Sequence, residues 1–135
     1  MTIDSYKNTE RYQKGWDSFK LHLGDKAESY IARLEAIYPK FARINIEFPF
    51  GDLYADSSVL DERTRELTTI AALTVLGYAD PELRVHVRAA LACGATQNEI
   101  LEVITQMLAY SGFPSATNAL LAAGEVFEAI AKEKK

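Results

Sequence analysis

Two side chains of this sequence have the type and placement for proton transfer. His86 follows Leu83 by three residues and precedes Ala90 by four, so on a helix its imidazole lies on or beside the packed face. Histidine carries protons near neutral pH, and burial or a carboxylate partner tunes it. Glu66 stands in the turn before the most apolar stretch of the chain, beside Leu67 and near Ile70. A carboxylate there either faces the mouth of a buried cavity or simply suits the positive end of a helix. Glu82, four residues before His86, could orient the ring or serve the same dipole. His22 has only Asp25 as a nearby acid and reads as a surface residue.

Cations surround both positions. Arg63 and Arg65 open the segment that carries Glu66, and Arg84 and Arg88 flank His86; any of them could hold a substrate carboxylate through its planar fork. Tyr110, close to Gly112-Phe113-Pro114, could donate a phenolic hydrogen bond or only pack at a helix end. Cys93 is the single cysteine. It falls at an expected helix C-terminus, where the dipole disfavours a thiolate, and reads as a small buried hydrophobe. Phosphate-binding glycine loops, zinc-type clusters and serine-hydrolase elbows are all missing from the sequence, and no metal ligand set is expected.

The elements that must position these groups are helical. Tyr12, Trp16, Phe19 and Leu23 recur at helical steps until Gly24-Asp25. Leu34, Ile37, Tyr38, Phe41, Ile44 and Phe48 form a second stripe that Pro39 should split. Phe48-Pro49-Phe50-Gly51-Asp52 and Ala55-Asp56-Ser57-Ser58 predict one substantial loop, over 49–60. Asp61 can cap a helix whose part from Thr69 to Leu76 has almost no polar face, so it should be buried nearly all round. Asp80-Pro81-Glu82 starts the next helix, Gly94 closes it, and Thr96-Gln97-Asn98-Glu99 has capping-box spacing. A last apolar face runs from Ala116 to Ile130 after Gly112-Phe113-Pro114. The alternating Ile44-Asn45-Ile46-Glu47-Phe48 is the sole strand-like exception, so the fold class is all-α, with about six to seven helices in one domain. The N-terminal helices are expected over 5–48 and the core over 61–131.

With 135 residues, 48% of them hydrophobic and 25% charged, the chain can bury a real core. Its net charge of −4 argues against nucleic-acid and membrane partners. No apolar run reaches the roughly 18 residues of a membrane span, and the N-terminus lacks a signal-type apolar stretch, so a cytoplasmic location is expected. One cysteine excludes an intrachain disulfide framework and fits a reducing compartment.

Phe50-Gly51-Asp52, the run from Arg63 to Leu73, the run from Glu82 to Leu91 with Gly94, Glu99 to Val103, Gln106, and Tyr110 to Ala116 stand in a familiar order. Together they resemble the carboxymuconolactone decarboxylase family, which shares its fold with the alkylhydroperoxidase D-like proteins. The resemblance covers nearly the whole chain and is strongest from Arg63 to Phe127. It implies an all-helical subunit that assembles as a homotrimer or homohexamer, with active sites near subunit contacts. Peroxidase-type members carry Cys-x-x-Cys, three further residues and a histidine, with an upstream relay glutamate. With the histidine at His86, those cysteines fall on Ala79 and Glu82, while Glu66 matches the relay glutamate. Cys93 follows the histidine and replaces neither.

The missing pair points to the decarboxylase branch, which needs no cofactor. The implied reaction is decarboxylation of a γ-carboxymuconolactone-like unsaturated lactone in aromatic catabolism. His86 is then the proton donor, Glu66 its orienting carboxylate, Arg63 or Arg65 the substrate-carboxylate ligand and Tyr110 an oxyanion donor. The alternatives are an alkylhydroperoxidase or peroxiredoxin-type redox protein, requiring Cys93 to pair with another chain, and a non-catalytic lactone-binding oligomer.

Overall fold

A computed structural model describes residues 5–135, and all regular structure among them is helical. The helices are α1 (Glu10–Leu23), α2 (Ala27–Ile37), α3 (Pro39–Asn45), α4 (Glu62–Leu76), α5 (Asp80–Ala92), α6 (Gln97–Gln106) and α7 (Leu108–Glu133), with a π-helical segment at Ile46–Tyr54. No helix among the described residues is long and apolar enough to cross a membrane. The chain groups into two compact units, one ending at Glu62 and one comprising Arg63–Lys135.

In the first unit Thr9 caps α1 by accepting the Tyr12 backbone N–H. Gly24, at φ 62°, ends that helix. Tyr38 is extended (φ −155°, ψ 101°) because the ring of Pro39 excludes the helical region for the residue before it, so the stripe divides into α2 and α3 as its proline predicts. One expectation fails here. The stretch 49–60 is not a loop throughout, since the π segment continues through Pro49 and Gly51 to Tyr54; the alternating residues 44–48 are helical, within the expected 5–48.

Packing against α1 explains why these turn-forming residues stay helical. A Cβ added to Gly15 would lie 2.3 Å from the Ile46 carbonyl oxygen, and one added to Gly51 would lie 3.0 Å from that of Arg11. Two backbones therefore cross at a distance that only glycine permits. Arg11 ties the same elements together through both oxygens of Asp52 (3.1 and 2.6 Å) and through the buried Glu47 (3.4 Å). His22 is buried rather than superficial, its ring edge-on to Tyr54 at 5.2 Å and to Phe50 at 5.9 Å.

The second unit is built on Ile70, Leu83, Val87, Ile100, Ile104 and the alanine face of α7. Ala79 rather than Asp80 occupies the cap position of α5, which puts Asp80 and Pro81 in its first turn. The helix closes with Ala95 N–H on the Ala90 carbonyl (2.9 Å) and Gly94 N–H on that of Leu91 (3.2 Å), a paired arrangement that the φ of 97° at Gly94 allows. The capping box of α6 forms as its spacing predicts. Within α7, Gly112 adopts φ 81° and ψ 179°, breaking the helix two residues before Pro114.

α4 corrects the remaining expectation. Glu66, Ile70 and Thr74 form its buried stripe, whereas Val75 and Leu76 are 43% and 49% exposed within the chain. Its low polarity is therefore not matched by all-round burial within the chain.

Candidate active site

Glu66 lies in the second turn of α4, on the stripe that Ile70 continues into the core, and its side chain is 0% exposed. His86 projects from the middle of α5, between the fully buried Leu83 and Ala90, and keeps 19% side-chain exposure. Nδ1 of His86 lies 2.7 Å from Oε2 of Glu66. With the carboxylate ionised, Nδ1–H donates and the tautomer is fixed. Nε2 is then the ring atom left to take up or deliver a proton, and a protonated ring would be held by charge as well as by the hydrogen bond. Such a pair suits general acid–base work in which the acid partner itself never meets substrate.

α5 is fastened on both sides of His86. Arg84 pairs with Glu125 at 2.6 Å, and Arg88 forms a two-point contact with Glu133 at 3.0 and 3.1 Å. These arginines, read from sequence as possible substrate ligands, bind α5 to α7 instead. Glu82, the alternative orienting acid, is exposed in the first turn of α5, and Glu66 holds the ring in its place.

The other sequence candidates are distributed around this pair. Arg63, one turn before Glu66, directs Nη2 to Oε1 of Glu99. Arg65 is half-buried on α4 immediately before Glu66. Tyr110 is 74% exposed, on the segment that precedes the Gly112 break. Cys93 occupies the C-cap of α5 and is partly exposed.

Glu99 is the neighbour that sequence reasoning missed. The capping-box spacing identified it as a cap, and its Oε2 does accept the Thr96 N–H at 2.8 Å. Its second oxygen binds Arg63, 36 residues away, which no local pattern signals. Among the described residues no group of three His, Cys, Asp or Glu side chains could hold a metal ion. Ala79 and Glu82, where a redox cysteine pair would fall, mark the cap and first turn of α5.

Comparison with known proteins adds to this geometry. The profile of the Carboxymuconolactone decarboxylase family matches residues 39–125. The chain is 34% identical over 128 residues to a 4-carboxymuconolactone decarboxylase from Acinetobacter baylyi, covering 93% of this chain and 94% of that one. It is also 42% identical over 95 residues to an uncharacterized 15.0 kDa protein of Paracoccus denitrificans, covering 70% of each.

Proposed function

The chain belongs to the carboxymuconolactone decarboxylase family, and from that membership we propose that it decarboxylates a γ-carboxy-substituted unsaturated lactone without a cofactor. The observation that carries this reading is the 2.7 Å contact between His86 and the fully buried Glu66. In such a substrate the carboxylate sits on a carbon conjugated through a double bond with the lactone carbonyl. Breaking the carbon–carboxylate bond releases carbon dioxide and leaves the electron pair as a dienolate. Imidazolium at His86 delivers the proton from Nε2 to carbon, while Glu66 offsets the positive charge on the ring beforehand and fixes its orientation. Water then reprotonates the ring, so one proton is consumed per carbon dioxide released.

Arg65, half-buried on α4 immediately before Glu66, is the arginine we assign to the substrate carboxylate. Tyr110 is assigned to the lactone carbonyl as an oxyanion donor. A homotrimer or homohexamer is part of the proposal: Leu76, Tyr78, Phe113 and Leu121 are 49%, 78%, 72% and 61% exposed in the single chain, and association would cover such side chains.

The test is incubation with γ-carboxymuconolactone, following carbon dioxide and ultraviolet absorbance, beside a hydroperoxide assay with a disulfide reductant. Lactone turnover by the wild-type protein and its loss in a folded His86→Asn variant are expected. A folded, assembled His86→Asn protein with full lactone activity would remove the proposal.

A further inference from the structure

We infer that Glu99 is a positioning residue for the His86–Glu66 pair, acting as the counter-charge that keeps Arg63 from competing for Glu66. The kinetic part of this inference rests on the decarboxylase reading; the structural part does not.

Arg63 precedes Glu66 by three residues, a spacing at which helix side chains are neighbours and a guanidinium can reach a carboxylate. A carboxylate with no solvent exposure attracts such a cation strongly, because little water screens it. Arg63 nevertheless points to Glu99. The acid that draws it away is itself fixed in place. Oε2 of Glu99 is held by the Thr96 N–H, the Thr96 hydroxyl accepts the Glu99 N–H at 3.1 Å, and the next residue, Ile100, is fully buried. Oε1 is thus presented to Arg63 from a rigid helix start.

Glu66 remains committed to His86 at 2.7 Å. Without the charge of Glu99, the Arg63 guanidinium is released three residues from the Glu66 carboxylate on the same helix, and every increment of contact between them weakens the hold on Nδ1. Two opposite effects follow: removing the acid harms the pair, and removing the arginine as well restores it.

The experiment uses the full chain labelled with nitrogen-15 histidine, with the His86 signals assigned by their loss in His86→Asn. In wild type a downfield proton on Nδ1 is expected. In Glu99→Gln, which preserves the cap acceptor but not the charge, that signal should move upfield or broaden, and lactone turnover should fall on the order of tenfold at nearly constant KM. Arg63→Met and the double variant Glu99→Gln/Arg63→Met should both retain the wild-type signal. Thr96→Ala, which weakens the helix start alone, should lower Tm without moving it.

A wild-type signal in Glu99→Gln would overturn the inference. So would a double variant as perturbed as Glu99→Gln, or a Thr96→Ala protein perturbed to the same extent. If the wild-type protein fails to turn over the lactone while the signals follow the expected order across the variants, the decarboxylase reading fails and this inference stands.

Discussion

Oε2 of Glu66 and Nδ1 of His86 meet at 2.7 Å although 20 residues separate them in sequence. The acid is sealed within α4 and its unit's core, while the base retains an open edge. The division of labour between the two is therefore spatial: one can touch a substrate and the other can act only through it.

Replacing Glu66 by Gln should leave the fold intact, because the amide oxygen still accepts Nδ1–H in nearly the same volume. The charge that stabilises imidazolium is lost, so lactone turnover should fall by about 10- to 100-fold with little change in KM, within the usual range for acid–base groups. Steady-state kinetics beside a thermal melt measure this, and unchanged kcat would remove Glu66 from the mechanism.

Gly15→Ala tests the crossing of α1 with the π segment. The new methyl would lie 2.3 Å from the Ile46 carbonyl oxygen, which belongs to the backbone and cannot rotate aside. A loss of about 1–3 kcal/mol is expected in chemical denaturation. Gly124→Ala is the contrast, since a Cβ there meets nothing within 4 Å and the residue sits inside α7. That change should be neutral or stabilising by about 0.5–1 kcal/mol.

Gly112→Ala should weaken the break in α7. There is room for a Cβ, whose nearest neighbour would be Pro114 Cδ at 3.9 Å, but the φ of 81° with ψ of 179° is a glycine conformation. A destabilisation of about 1–3 kcal/mol is expected, or else a shifted kink visible as altered chemical shifts around Tyr110. Wild-type stability with unchanged shifts would contradict the observed geometry.

Alkaline pH should selectively loosen the first unit through Tyr12. Burial, reinforced by the charge of Glu35, pushes its phenol up from 10.0 to about 12. The folded state thus holds a proton that the unfolded chain releases earlier. The contribution is fully present below pH 10 and is lost as the pH rises to about 12. A Tyr12→Phe protein should lack this component of the stability profile, which denaturant melts across that interval would show, and phenolate absorbance should place the Tyr12 midpoint above those of exposed tyrosines.

How legible these features were in the sequence depended on the range of the interaction. Pro39, Gly94 and Thr96 through Glu99 act on backbone within a few residues, so type and spacing were sufficient. Pro49 and Gly51 carry the same local signal but are overruled by the backbone crossing at Gly15, a partner more than thirty positions earlier in the chain. His22 looked superficial because nothing nearby in sequence covers it; Phe50 and Tyr54 do so from the π segment. At the site, the pairing of His86 with Glu66 followed from resemblance to a family, while periodicity alone placed His86 on a helix face and left Glu66 in the turn before the apolar stretch. The commitments of Arg63, Arg84 and Arg88 to Glu99, Glu125 and Glu133 all depend on contacts between distant helices.

The first turn of α5 also bears on ancestry. Ala79 and Glu82 occupy the cap and the initial turn of the helix that carries His86, where the positive dipole end favours thiolates. The histidine and its buried acid are already joined. Between this site and the peroxidase-type layout that the family resemblance implies stand two side chains at the mouth of one helix. On that mapping, a change of chemistry would need no change in topology.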